Sequence, residues 1–368
     1  MTGQVPVARR MTTADPRRLA VSLLGVGAAI GLVLLLQGLW NGQLVQITAY
    51  EDNAGADLFI AQPGTESILG DRSIVPLAAL EEVAAIPGVQ RADPVHIHYT
   101  VFDLHGQKAF VLLVGADPGG LGGPWELSTG RYATAPGEAV LDRTFADEHD
   151  LGLGTEFVMG GRTLRTVGLA EGTRSWMTSL VFVTTDTAQA MTGGGGNATY
   201  LLVQTDQPDK VSAAIRAQTG LEPLLPATLG TSDREILAGI MEGPVLLMIG
   251  IAFAAATLVV ALTVYSGVVE RLREYGIVKA MGAGPGTVLR LVLGQTIFLA
   301  FAGSGLGYLM YLGGAWLVGR LRPQFWFSLQ EGQLLVLVAA AIGMGLVAAL
   351  IPARRLRRLE PASVYRGW

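Results

Sequence analysis

Four stretches of the chain are apolar for long enough to cross a bilayer, which takes about 20 predominantly apolar residues in a helix. They cover residues 19–41, 242–269, 287–318 and 334–352. The first holds no charge between Leu19 and Trp40. Past Pro244 the second is interrupted only by Thr and Ser. The third admits Arg290 in its opening turn, and the fourth closes at Pro352. Four transmembrane helices are therefore predicted.

Between the first two runs the pattern changes period. Residues 77–86 (LAALEEVAAI) have helical spacing and stop at Pro87-Gly88. Residues 95–103 alternate as a strand does, His105-Gly106 makes a turn, and 109–115 returns. Short strands are predicted over 139–141, 156–159, 163–168 and 180–184, then a short helix over 185–191. Residues 200–204, 208–218 and 221–225 read as strand, helix, strand. Residues 42–241 thus form a mixed α/β domain inserted into a helical membrane protein.

Composition agrees with lipid. Hydrophobic residues make up 50% of the chain and charged residues 15%, against roughly 25% charged in soluble domains. The net charge of −4 conceals an asymmetry: residues 42–241 carry 24 acidic and 11 basic side chains, and the basic excess lies at the membrane runs. Basic residues at helix ends, not on one domain face, argue against a nucleic-acid partner. The chain has no cysteine, which excludes disulfides, thiolate metal sites and cysteine nucleophiles.

The basic clusters also orient the helices. Arg9, Arg10, Arg17 and Arg18 precede the first run. Arg271, Arg273 and Lys279 separate the second and third, and Arg354, Arg355, Arg357, Arg358 and Arg366 follow the fourth. With four crossings these places share one side, the cytoplasm. Residues 1–18, the loop 270–286 and the tail 353–368 are then cytoplasmic. The acidic domain and the short loop 319–333, despite Arg320 and Arg322, lie outside. The first run exceeds the 7–15 residues of a signal-peptide core and no A-x-A site follows it, so a retained helix is expected, in a bacterial inner or plasma membrane.

Candidate chemistry in the domain is sparse. His96 and His98 share a strand face near His105, but a metal site needs a full ligand set, and none is expected. There is no G-x-S-x-G, H-E-x-x-H or P-loop. Ser175 and Ser179 have no recognisable base, and Glu81-Glu82 and Asp147-Glu148 read as solvated faces. No catalytic residue, and no cofactor held by this chain, is expected.

The loop after the second run is more informative. Glu270, Arg273, Glu274 and Ile277 fall at helical spacing, and residues 281–286 (MGAGPG) then break the helix. R-L-R-E-Y-G-I-V-K-A-M-G-A resembles the signature of FtsX/MacB-type permeases, the membrane subunits of type VII ABC transporters. Tyr275 stands where an aliphatic residue is usual, and Lys279 where Arg is common. The ending IPARRLRRLEPASVYRG is similar to the family's tail, with Tyr365 for the usual Leu, and the layout of one helix, a large outer domain and three helices agrees over the whole chain. Residues 50–62 (YEDNAGADLFIAQ) resemble the DevC/HrtB-like branch.

The resemblance implies a MacB periplasmic-core-like outer domain and a homodimeric permease in membrane lipid. It implies a separate cytosolic ABC ATPase that binds ATP and Mg, giving a 2+2 complex driven by mechanotransmission. Glu270, Arg271, Arg273, Glu274, Tyr275, Gly276, Lys279, Met281 and Gly282 would then couple to that ATPase. The branch makes haem a candidate cargo, with Glu235, Met241, Glu242 and Met248 as candidate ligands at the outer mouth of the second helix. Gly27-x-x-x-Gly31, Gly38-x-x-x-Gly42 and Gly303-x-x-x-Gly307 permit close helix packing and are candidate dimer contacts. Lipid, glycolipid or antibiotic export, and a non-transporting FtsX-like regulator of an outer partner, stay open as alternatives.

Overall fold

A computed structural model of the chain describes residues 16–104, 106–175, 178–270, 277, 285–322, 324–330 and, in part, 332–346. The chain divides into two compact units. One is the inserted domain, Gln43–Glu242, and the other is helical and built from the chain on either side of it.

In chain order the elements are α1 (Pro16–Gln46), α2 (Ala49–Asn53), β1 (Leu58–Ala61), β2 (Val75–Pro76), α3 (Ala79–Ala84), β3 (Arg91–Leu104), β4 (Gln107–Gly115) and β5 (Leu127–Gly130). There follow β6 (Glu138–Asp142), α4 (Arg143–Glu148), β7 (Glu156–Met159), β8 (Arg162–Ala170), β9 (Arg174–Ser175), β10 (Thr178–Val183) and α5 (Thr185–Thr192). The last are β11 (Asn197–Ala198), β12 (Tyr200–Gln204), α6 (Pro208–Thr219), β13 (Glu222–Leu224), α7 (Pro226–Val269) and α8 (Pro285–Leu321).

Eleven strands make one sheet in the order β13-β1-β12-β3-β4-β10-β6-β8-β5, with β7 on β8 and β9 on β10. The long strand β3 joins its two halves. Its first residues pair with β12, from Val95 opposite Tyr200 to Arg91 opposite Gln204. From His96 opposite Gly115 to Leu104 opposite Gln107 it pairs with β4 instead. Strand β4 continues into β10 in parallel, Val111 opposite Ser179.

Three apolar clusters cover this sheet. Leu58, Ile60, Leu201 and Val203 meet Val83 of α3 and Val211 and Ile215 of α6. Phe59, Val95, Leu112 and Leu202 pack with Tyr50 and Leu229 in a second cluster. Leu141, Leu164 and Val181 meet Phe145 of α4 and Ala188 of α5 in a third. Each such side chain contributes about 1.5–3 kcal/mol when removed fully from water. Because β1 contributes to two clusters, all four of its residues are buried. A strand covered on both faces has no polar alternation, and the pattern in the sequence did not predict it.

Local signals fix the small helices. The Asp142 carboxylate accepts from the Phe145 amide at 3.1 Å and caps α4, worth about 1 kcal/mol. Thr184 caps α5 in the same way, and Gly193 closes it in the left-handed region at φ 73°. Pro208 opens α6 and Gly220 closes it at φ 69°. A side chain with Cβ rarely adopts that backbone.

In the helical unit, three helices are long and apolar enough to cross a membrane among the described residues: Leu19–Gln46, Pro226–Gly267 and Leu293–Leu321. The fourth predicted span, 334–352, falls largely outside the described residues, so the described residues hold three candidate spans and do not confirm the count of four. Val26, Ile30 and Leu34 of α1, Val260 and Val264 of α7, and Leu299 and Tyr311 of α8 form the unit's core.

Candidate functional site

The glycine repeats meet each other. A Cβ placed on Gly31 would lie 3.1 Å from the Gly307 carbonyl oxygen, and one on Gly307 would lie 2.9 Å from the Gly27 carbonyl oxygen. Gly303 faces Val26, and a Cβ on Gly27 would lie 3.0 Å from Leu306 Cγ. Gly38 lies against Tyr311 and Gly42 against the backbone of Trp326. The repeats that the sequence offers for contact between copies bring α1 and α8 of one chain to near backbone contact. Small residues permit that approach where lipid supplies no hydrophobic drive.

Helix α7 is the least covered of the three. In its most apolar stretch 17% of residues are buried, against 33% in α1 and α8. Leu246, Leu247, Ile251, Leu258 and Leu262 are exposed. Glu235, Met241, Glu242 and Met248 all lie on this helix. Glu235 and Glu242 are exposed, Met248 is 56% exposed and Met241 is half-buried. At about 100° per residue, seven residues return nearly to the same line. The two glutamates therefore share one line and the two methionines another, about a third of a turn away.

Of the nine residues assigned to ATPase coupling, Glu270 is described. Its amide donates to the Ser266 carbonyl at 3.0 Å, and the Ser266 hydroxyl donates to its carboxylate at 2.9 Å. Arg271, Arg273, Glu274, Tyr275, Gly276, Lys279, Met281 and Gly282 lie outside the described residues.

The inserted domain holds a buried acidic pair that the sequence did not disclose. Glu51 of α2 is 3% exposed and Asp233 of α7 is 1% exposed. One Asp233 oxygen accepts from the amides of Ile68 at 3.1 Å and Leu69 at 3.2 Å. Burial pushes the Glu51 carboxyl well above the usual carboxylate range, and its hydrogen bond to Asp233 and that residue's charge add to the shift. Next to it, Arg234 donates to the Leu44 carbonyl at 3.1 Å and to the Thr48 hydroxyl at 2.9 Å. That hydroxyl donates to Asp52 at 2.7 Å. Nothing in the local spacing links residues so far apart in sequence. The readable trace was an acidic residue, Glu51, directly after the aromatic Tyr50.

His96 and His98 line a pocket of 430 Å³ formed by the 68–74 loop, β3 and the 197–200 segment, and His105 lies outside the described residues. His96 is buried, with its Nε2 at 3.2 Å from the Gln189 amide nitrogen; His98 is exposed. Burial lowers both histidines, and neighbouring positive groups lower them further: His98 acts on His96, and Arg72 on His98. Among the described residues no three His, Asp or Glu side chains are grouped to hold a metal ion.

Residues 19–218 match the MacB-like periplasmic core domain, and residues 246–361 match the FtsX-like permease C-terminal domain. The chain belongs to the MacB/FtsX-type ABC transporter permeases. An uncharacterised permease of this transporter class from Mycobacterium tuberculosis is 27% identical over 359 residues, covering 95% of this chain and 96% of that protein. The macrolide export ATP-binding/permease protein MacB of Rhodospirillum rubrum is 24% identical over 388 residues, 96% of this chain and 59% of that protein. Among solved structures, the periplasmic region of MacB from Actinobacillus actinomycetemcomitans matches 50% of this permease with 12% identity and a TM-score of 0.37. The extracellular domain of YknZ from Gram-positive bacteria matches 46% with 14% identity and a TM-score of 0.36. Neither the family match nor these relatives singles out the DevC/HrtB-like branch.

Proposed function

We propose that this permease is the membrane subunit of an ABC-type exporter that moves a hydrophobic or amphipathic molecule and is driven by a separate cytosolic ATPase. The observation that carries the reading is the joint match of both halves, the periplasmic core domain and the permease C-terminal domain, together with the match to a permease over 96% of that relative's length. The homodimer, the cytoplasmic termini and transmission of ATPase closure through residues 270–286 belong to this reading. Helix α7 supports it, because its residues 226–269 are unbroken and its uncovered apolar side chains suit lipid or a second copy.

Haem is the sharpest cargo to test, with Glu242 on the exposed line of α7 as the residue to change. A second reading, regulation of an outer partner without transport, has one observation in its favour. Val101 of β3 and Phe110 of β4 are paired across the strands, and they are 50% and 57% exposed on the inserted domain.

The two readings separate by ATPase measurements on the purified complex in nanodiscs with haem, lipids and macrolides. Export requires stimulation by at least one class. A haem-specific response that Glu242→Ala removes would establish the haem version. Indifference to every compound would favour the regulator.

A further inference from the structure

The pocket beside His96 and His98 is an unassigned feature of the inserted domain with both an apolar wall and free polar groups. Its 430 Å³ falls within the range of about 300–1,000 Å³ usual for small-molecule sites. Ile68, Ile74 and Ile97 supply apolar lining.

The hydrogen-bonding groups around it divide into occupied and free. The Asp71 carboxylate already accepts from the Glu66 amide at 2.8 Å and the Ser67 amide at 3.0 Å. The Tyr200 hydroxyl donates to the Ser67 carbonyl at 3.3 Å. Thr199 bonds the backbone of Ile97, and His96 is paired with Gln189. Arg72, His98 and Asn197 also line the pocket, and among the described residues their side chains have no hydrogen-bond or ion-pair partner. The free set is therefore rich in donors, with one permanent cation, while the lining carboxylate is engaged by two backbone amides. Arg72 lies close enough to His98 for its charge to lower that histidine's proton affinity, after the larger effect of burial. A guanidinium fork is suited to a carboxylate or phosphate.

We propose that this pocket binds a small amphipathic anion, with its carboxylate or phosphate on Arg72, His98 and Asn197 and its apolar body against Ile68 and Ile97. The proposal goes beyond the transport reading, since it concerns binding to the inserted domain whether or not that molecule is exported.

The test uses the full chain in nanodiscs of neutral phosphatidylcholine. The absence of native cysteine allows one environment-sensitive fluorophore at Ile74→Cys, on the pocket lip, and in a separate sample at Lys210→Cys on α6. Octyl phosphate and octanoate are titrated against octyltrimethylammonium. Expected is a saturable response to the anions at position 74, none at position 210, and none to the cation. Arg72→Gln, a change at an exposed residue, should weaken anion binding at least tenfold, and Arg72→Lys should restore part of it. Dihexanoyl phosphatidylglycerol distinguishes the source: competition with octyl phosphate supports the site and assigns it to a lipid headgroup, whereas binding of octyl phosphate alone supports a free amphiphile. An equal response to the cation, a response that never saturates, or unchanged affinity in Arg72→Gln would overturn the proposal.

Discussion

The inserted domain and the helical unit use apolar side chains in opposite ways. In the domain, Leu58, Ile60, Leu201 and Leu202 have no exposed surface, and charged residues such as Glu81 and Glu82 face water. In the helical unit, Leu247, Leu258 and Leu262 are 66%, 60% and 57% exposed, while glycines such as Gly31 and Gly307 lie where the helices touch. Water rewards burying the large side chain. Lipid does not distinguish an inward leucine from an outward one, so close backbone contact decides the packing. The two regions therefore have different weak points.

The largest effect should come from filling a glycine contact. Gly307→Leu has no room against the Gly27 carbonyl and Ile30, and overpacking of this kind costs about 3 kcal/mol. Loss of a monodisperse peak in detergent chromatography is expected, with the inserted domain's sheet signal retained in circular dichroism. A normal elution profile would show that α1 and α8 do not depend on that approach. Next is Leu201→Ala in the domain, where a fully buried leucine is cut back; a loss of about 2–5 kcal/mol is expected in urea unfolding.

A smaller effect concerns pH. The folded Glu51 carboxyl titrates well above its ordinary value of 4.5, so it binds its proton more tightly in the folded chain. Its contribution is fully present below that value and is lost as pH rises through the raised folded value. Glu138 runs the other way: its hydrogen bond with Arg131 holds it down to about 2, so its contribution is present above 4.5 and fades as pH falls towards 2. Glu51→Gln should remove the loss on the alkaline side and leave the acid limb in place. Unchanged alkaline slopes in paired thermal melts would refute the upward shift of Glu51. The smallest effect should follow Leu258→Ala on the exposed side of α7, within about 0.5 kcal/mol of wild type. A loss equal to that of Leu201→Ala would erase the contrast between the regions.

Legibility in the sequence followed the same division. Strands at 156–159 and 200–204 were readable to the residue, because turn residues bound short β-rich runs. Strand β1 was not, since burial on both faces removes alternation, and neither was α2, whose five residues are too few to show a period. The helical runs stood out by length alone. Their glycine repeats were visible too, but a repeat does not name its partner, and the partner of α1 proved to be α8 of the same chain. At the candidate sites, the strand pattern shows His96 and His98 as a pair, yet the donors that complete their pocket come from Arg72 and Asn197 on separate segments. The Glu51–Asp233 pair joins α2 to the start of α7, a juxtaposition made only by the tertiary fold.

The claim that matters most is that a separate ATPase acts through residues 270–286. It is tested most directly by native mass spectrometry of the permease co-expressed with its cognate ABC ATPase. Expected are two copies of each subunit in the wild-type complex, and loss of the ATPase alone in Glu274→Arg, with the permease still folded. Absence of any complex with the wild-type chain, or an intact one with Glu274→Arg, would contradict it.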